Sequence, residues 1–85
     1  MKMGPALGFA EVQRLLAAGA GLPADGRLDL AQVERIDSAG LSYLLEMTRR
    51  ARAKGVQLRL VGVSEQPHAL ARFFGVHDLL SFDEP

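Results

Sequence analysis

Apolar residues recur along this chain at two spacings, and the change from one to the other predicts helices separated by strands. Spacings of three and four residues, typical of amphipathic helices, begin at Phe9 and again at Leu41. Elsewhere apolar and polar residues alternate, as they do in half-buried strands. The predicted elements are a helix at 9–18, a strand at 27–30 whose apolar pattern continues to 36, a helix at 38–54, a strand at 56–61, a helix at 64–74 and a short strand or turn at 76–82.

The order of these elements predicts an α/β fold with a small, mainly parallel sheet. Strands joined by a helix form βαβ units, whose crossover is right-handed in nearly all proteins. Glycines mark two helix ends, Gly55 after the second helix and Gly75 after the third. In the strand after the second helix, alternation places Val56, Leu58 and Leu60 on one apolar face.

The polar stretch between the first strand and the second helix is the candidate functional site. Asp37 and Ser38 stand where a helix needs side-chain acceptors for its first free backbone N–H groups. Ala39 and Gly40 follow with little side-chain bulk, so they leave the Ser38 hydroxyl open. A helix N-terminus also accommodates phosphate, and phosphorylation of Ser38 would add nearly two negative charges beside Asp37. A plain helix cap and a functional site both fit this pattern.

Composition narrows the classes of protein to which the chain could belong. It has 85 residues, zero formal net charge and no cysteine. Zero net charge argues against general nucleic-acid binding, and the lack of cysteine excludes a disulfide framework or a thiolate metal site. No apolar run approaches the roughly 20 residues of a membrane span, and the first residues do not form a secretion signal. We therefore expect a soluble cytoplasmic protein without metal or cofactor and without direct insertion into a membrane.

A small serine hydrolase is one alternative, because a serine at a strand-to-helix turn can act as a nucleophile. The nucleophile elbow needs a glycine two residues before and after the serine, and here Ile36 and Gly40 occupy those positions. The base would have to be His68 or His77, and neither lies in a recognisable motif. We therefore expect no enzymatic activity.

Two other clusters have both a structural and a functional interpretation. Cations at the end of the second helix could bind anionic lipid or an acidic partner, but the helix dipole also stabilises each of them by roughly 0.3–1 kcal/mol. This cluster consists of Arg49, Arg50, Arg52 and Lys54. For Phe73 and Phe74 we expect packing in the core or at its rim, with partner contact as the second interpretation.

Several stretches resemble the STAS domain family. They are residues 28–30, 33–41 and 58–63, with a Lys-Gly helix stop at 54–55, and the most specific of them is Asp-Ser-Ala-Gly-Leu at 37–41. The resemblance extends over about residues 9–82. It implies the STAS (SpoIIAA-like) fold, with residues 1–85 forming a single domain.

The resemblance also implies a protein-interaction role centred on Ser38. In the anti-sigma factor antagonists of this family the corresponding hydroxyl residue is phosphorylated by a partner kinase. In the MlaB-like subunits of phospholipid-transport ABC systems it contacts the ATPase subunit. Ala39 and residues 63–72 are more similar to the MlaB-like branch, which places the protein at the inner membrane through a transporter complex. The partner-binding residues that the resemblance implies are Asp37, Ser38, Ala39, Gly40, Leu41, Ser42 and Leu45, with an anti-sigma factor kinase as the alternative partner.

The start of the chain departs from the family pattern. STAS domains usually begin with two strands before the first helix, whereas only eight residues precede Phe9 here. We therefore expect the N-terminal edge strand to be shortened or missing. Unpaired backbone groups on the neighbouring strand could then pair with a second chain. The sequence predicts a homodimer through this exposed sheet edge.

Overall fold

The structure is a computed structural model, which describes residues 3–19 and 21–83. These residues form three helices and short parallel strands. The strands are β1 Ala6–Leu7, β2 Arg27–Asp29, β3 Arg35–Ile36, β4 Arg59–Val61 and β5 Phe82–Asp83. The helices are α1 Phe9–Ala17, α2 Ser38–Ala53 and α3 Glu65–Phe73, and a 3-10 turn at His77–Leu79 precedes β5. The predicted α/β class is confirmed, and so is the alternation of strands and helices from α1 onward. The predicted strand region at 27–36 forms two strands, β2 and β3, which lie in different sheets.

The strands form two small parallel sheets that a backbone hydrogen bond connects. β4 lies in the middle of one sheet, with Leu60 opposite Leu28 of β2 on one side and Phe82 of β5 on the other. β1 pairs with β3 in the second sheet. Between the sheets, the Met3 N–H donates to the Asp29 carbonyl oxygen at 3.0 Å. The strand before α1 is therefore present but shortened to two residues.

Aliphatic side chains of the strands and of α2 form the core. Full burial of one such side chain stabilises a fold by roughly 1.5–3 kcal/mol, so these residues dominate the free energy of folding. Leu41 and Leu44, on the first two turns of α2, pack into this core and fix the start of the helix beside the end of β3. The most deeply buried large side chains are Leu7, Leu28, Leu30, Val33, Leu44, Met47, Leu58 and Leu60.

The strand after α2 is shorter than predicted, and the placement of Val56 on its apolar face is wrong. Val56 is 46% exposed, whereas Leu60 is fully buried. Gly55 has φ +73°, the left-handed conformation that ends many helices. The Val56 N–H donates to the Ala51 carbonyl oxygen at 2.9 Å, and this bond closes the end of α2. Val56 therefore belongs to the helix cap, and the strand begins three residues later.

The apolar face of α1 is only partly covered. Val12 and Leu15 pack against the core, whereas Phe9 and Leu16 are exposed. α1 packs against α2 and β1, and a two-residue strand is too short to cover the whole helix face. Among the described residues, no helix has both the length and the apolar character needed to cross a membrane.

Candidate functional site

Asp37 joins the starts of two helices. Its Oδ1 accepts the Gly40 N–H at 2.9 Å, which caps α2, and its Oδ2 accepts the Phe9 N–H at 3.1 Å, which serves α1. These backbone bonds, the one from Gly40 above all, hold the pKa of the Asp37 carboxyl below its ordinary value. The carboxylate is therefore charged at neutral pH. Of the two cap residues that the sequence offers, Asp37 is the cap, and Ser38 is the first residue of the helix. The second role, at α1, was not predicted.

Gly40 allows β1 to pass directly over the first turn of α2. A Cβ at this position would overlap the Leu7 carbonyl oxygen and approach Ile36 Cγ1 to 2.8 Å. The small residue at position 40 thus serves an approach within the chain. The small size of residue 40 therefore has a second explanation besides the predicted exposure of Ser38: a larger side chain would collide with β1.

Gln66 of α3 holds the end of β3 in place. Its Oε1 accepts the Ile36 N–H at 3.0 Å, and its Nε2 donates to the Ile36 carbonyl oxygen at 3.1 Å. Close by, the Ser64 hydroxyl donates to the Val33 carbonyl oxygen at 3.2 Å instead of capping α3. Neither contact can be predicted from the sequence, because no local spacing relates residues that lie about 30 positions apart.

Ser38 lies at the rim of a shallow, mostly apolar groove between α2 and the end of α3. It is exposed on the first turn of α2, directly after the cap residue. The groove has a volume of about 280 Å³. The residues that line it are Ser38, Leu41, Ser42, Leu45, Phe74 and Val76.

An exposed aromatic pair lies at the end of α3 beside this groove. Phe73 is 82% exposed and Phe74 is 51% exposed, and their rings meet edge to face with centroids 5.2 Å apart. Neither ring is in the core: Phe74 lies at its rim, where it lines the groove, and Phe73 is almost fully exposed. The buried residues of α3 are Pro67, His68 and Ala71, and Phe73, two positions after Ala71, lies on the opposite side of the helix. Exposed aromatic side chains next to a groove are typical of protein-binding surfaces.

The predicted partner-binding residues fall into two groups by burial. Gly40 and Leu41 are buried, so they position α2 from within. The side chains that reach the surface are those of Asp37, Ser38 and Ser42, with Ala39 and Leu45 half-buried. Phe9, exposed beside Asp37, and the aromatic pair extend this surface beyond the predicted residues. For Phe73 and Phe74 the sequence offers partner contact as the second interpretation, and their exposure favours it.

The catalytic alternative gains no support from the geometry. Neither histidine lines the groove that contains Ser38, and within the described residues His68 and His77 bond to each other at 3.0 Å. The described part of the chain contains no group of three or more side chains that could hold a metal ion.

Two of the four cations at the end of α2, Arg49 and Arg50, are held by a carboxylate of the same helix. Glu46 accepts from Arg49 at 2.7 Å and from Arg50 at 2.8 Å. These two partners, Arg49 first, lower the pKa of Glu46 to about 2. The arrangement is typical of a solvated helix face with intrahelical ion pairs.

The sequence as a whole matches a known family. The family described as "Mlab, STAS domain" matches residues 4–81, a range that includes the Ser38 groove and the aromatic pair. The chain belongs to the STAS domain family.

Two curated proteins are similar to part of this STAS domain. The intermembrane phospholipid transport system binding proteins MlaB of Escherichia coli (strain K12) and of Shigella flexneri are each 33% identical to it over 49 residues. The matched segment is 58% of this chain and 50% of each relative, so the chain spans about half the length of the curated relatives it matches. No solved structure gives a significant match.

Proposed function

We propose that this STAS domain is a non-enzymatic subunit of an Mla-type phospholipid-transport ABC system, in which it binds and regulates the ATPase subunit. The observation that carries the proposal is the exposed Ser38 at the rim of an apolar groove. The two curated proteins to which the chain is similar belong, by their names, to an intermembrane phospholipid transport system. On this proposal the domain lies on the cytoplasmic side of the inner membrane, held there by the transporter.

The Ser38 corner, which consists of Asp37, Ser38 and Ala39 at the start of α2, and the groove supply complementary kinds of contact. The Ser38 hydroxyl can donate or accept a hydrogen bond, and it stands at the positive end of the α2 dipole. Leu45 and Phe74 add apolar area inside the groove. Protein interfaces gain most of their affinity from a few aromatic anchors surrounded by polar contacts. Phe73 and Phe74 with Ser38 fit this composition.

A charge placed at Ser38 tests the proposal directly. We expect Ser38→Asp to weaken binding of the purified ATPase subunit by about tenfold or more, because an unpaired charge in an interface costs on the order of 1.4 kcal/mol or more. Isothermal titration calorimetry measures the affinity. The variant should remain folded by circular dichroism, because a negative charge on the first turn of a helix is stabilised by the dipole.

Gln13→Glu is the matched control. It adds the same charge on the exposed side of α1, outside the groove. Its affinity for the ATPase subunit should equal that of the wild type. Unchanged binding by Ser38→Asp, or an equal loss in Gln13→Glu, would show that the Ser38 corner is not the contact.

An anti-sigma factor antagonist is the second candidate function. The exposure of the Ser38 hydroxyl beside Asp37 favours it, because a kinase could reach this serine without unfolding α2. Incubation with an anti-sigma factor kinase and ATP, followed by intact-mass measurement, separates the candidates. The second candidate would replace the first under two conditions. The wild type would gain phosphate whereas Ser38→Ala would not, and the wild type would have no affinity for the ATPase subunit.

A further inference from the structure

One face of α2 stays outside the core along nearly the whole length of the helix. Its residues follow one another at alternating steps of four and three positions, so they form a stripe along one side of the helix. From the first to the last of them the helix rises about 21 Å, almost four turns. The exposed or half-buried residues of this stripe are Ser38, Ser42, Leu45, Arg49 and Arg52.

The end of α3 and the 3-10 turn form a wall beside this stripe. Phe74 and Val76 line the Ser38 groove together with Leu45. Further along α2, the Arg52 guanidinium donates to the Leu79 carbonyl oxygen at 3.4 Å. Phe74 is 51% exposed and Leu79 is 50% exposed, so both add apolar surface that no element of the domain covers fully. The stripe and its wall, which together we call the α2 trough, extend the Ser38 groove to the last turn of the helix.

The trough is basic where α2 ends. The cations there are Arg49, Arg50, Arg52 and Lys54. Arg49 and Arg50 share one carboxylate, that of Glu46, so much of the positive charge remains. Arg49 and Arg52 are the two cations that lie on the stripe. A guanidinium carries several N–H donors, so the bonds that these two make within the chain leave donors for a further carboxylate.

An α-helix is the occupant that fits both the shape and the charge of the trough. Steps of four and three positions give a stripe nearly parallel to the helix axis, like the seam between two paired helices. The trough consists of a helix and a turn, so it suits a helix laid in a groove better than an added strand. In an antiparallel arrangement the first turns of the second helix lie beside Arg49 and Arg52. Acidic residues are also stabilised there by the dipole of their own helix.

We propose that the α2 trough binds an amphipathic helix of the partner, antiparallel to α2, with acidic residues beside Arg49 and Arg52 and apolar residues over Leu45 and Phe74. The trough includes the Ser38 groove, so the proposal rests on the proposed function and names the kind of segment that binds there. Ser38 then lies near the last turn of the partner helix, whose carbonyl groups lack donors within that helix. The serine hydroxyl can donate to one of them.

Charge reversal at the basic end of the trough tests this proposal with the purified ATPase subunit. Arg52→Glu should lower the affinity by about fivefold or more, and the loss should shrink at high salt, because exposed charges are screened. Arg50→Glu is the matched control, because it makes the same change beside Glu46 but lies on the side of α2 that carries the buried Tyr43. Arg52→Gln replaces Arg52→Glu if circular dichroism shows that the latter is unfolded. Equal affinities for the Arg50 and Arg52 variants would overturn the proposal.

Two synthetic peptides test the trough without the ATPase subunit. Both are stapled helices of about 16 residues with leucines along one face. One carries glutamates in its first two turns and lysines in its last two, and the other has the reverse order, so their net charges are equal. In NMR titrations of the full chain the first peptide should shift the signals of Ser42, Leu45 and Arg49 and bind about tenfold more tightly than the second.

Equal affinities for the two peptides, or no shifts with either, would overturn the trough as a site for a helix with an acidic start. Shifts confined to α1 would overturn it as well. If the wild type did not bind the ATPase subunit, the proposed function would be wrong, and the peptide titrations would still decide whether the trough binds such a helix.

Discussion

Gln66 and Ile36 form two hydrogen bonds although 30 residues separate them: the Ile36 N–H donates to Gln66 Oε1, and Gln66 Nε2 donates to the Ile36 carbonyl oxygen. An amide side chain thus occupies a strand edge where a neighbouring strand would otherwise pair. Ile36 is the last residue before Asp37, so α3 supports the Ser38 corner through this contact. The same helix leads to the aromatic pair, and one element therefore shapes both parts of the surface.

Removal of the Gln66 amide should destabilise the fold. Gln66→Leu keeps the approximate size and leaves both backbone groups of Ile36 without this partner, so the free energy of unfolding should fall by about 1–3 kcal/mol. Gln66→Glu keeps an acceptor for the Ile36 N–H and should lose less. Urea denaturation measures both. Gln13→Leu, on exposed α1, should change stability by less than about 0.5 kcal/mol; a loss as large as that of Gln66→Leu would contradict the role of Gln66.

Self-association through the sheet edge stays a prediction, and Gln66 makes it more specific. A strand that pairs with β3 must displace the Gln66 amide from Ile36, so Gln66→Leu should form more dimer than the wild type. Light scattering after size exclusion, over a range of protein concentrations, measures the dimer fraction. Monomer alone for both proteins at high concentration would contradict association through this edge.

The close approach of β1 to α2 makes Gly40 sensitive to substitution. Gly40→Ala should destabilise by about 1–3 kcal/mol, because the added methyl group overlaps the Leu7 carbonyl group in a packed region. Gly21→Ala is the matched control, since a Cβ there meets nothing within 4 Å. It should stay within about 0.5 kcal/mol of the wild type in thermal or urea unfolding. Equal stability of the two variants would mean that β1 does not lie this close to α2.

The lowered pKa of Asp37 predicts a loss of stability in acid. The unfolded carboxyl binds its proton near the ordinary value of 3.8, before the native carboxyl does. Its contribution is therefore complete above that value and is lost as pH falls through the lower native pKa. Asp37→Asn keeps an oxygen for the Gly40 N–H without titrating. The difference in urea midpoint between wild type and variant should narrow on acidification; a constant difference would exclude the charge as its cause.

The aromatic pair should contribute to binding and little to folding. Phe73→Ala removes a side chain that is 82% exposed, so the free energy of unfolding should change by less than about 0.5 kcal/mol. Affinity for the ATPase subunit should fall by about fivefold or more, as for an aromatic anchor that costs over 1 kcal/mol on truncation. Leu16→Ala, on exposed α1, is the control. Equal affinities for Phe73→Ala and the wild type would remove Phe73 from the interface.

Local signals in the sequence predict the parts of this fold that depend on near neighbours. The cap at Asp37 and the stops at Gly55 and Gly75 each follow from residues within one helical turn, and all three agree with the structure. Val56 differs because its N–H has two competing partners, the end of α2 and the sheet. The spacing of apolar residues does not show which of these two partners the Val56 N–H will take.

The contacts that shape the candidate site join residues far apart in the chain. Two examples are the contact of Asp37 with Phe9 and that of Gln66 with Ile36, which depend on how the helices dock. Polar side chains follow no regular spacing from which such pairs could be predicted. The same holds for His68 and His77, which a motif search treats as unrelated residues. The sequence thus predicts the cap at Asp37, whereas the contacts from α1 and α3 depend on how those helices dock.

Because one carboxylate accepts from both Gly40 and Phe9, the first turns of α1 and α2 depend on each other. If either end frays, the Asp37 side chain gains rotational freedom and the other helix loses its acceptor in the same event. We expect the amide hydrogens at the two helix starts to exchange with solvent as a single cooperative unit, although they lie far apart in the chain.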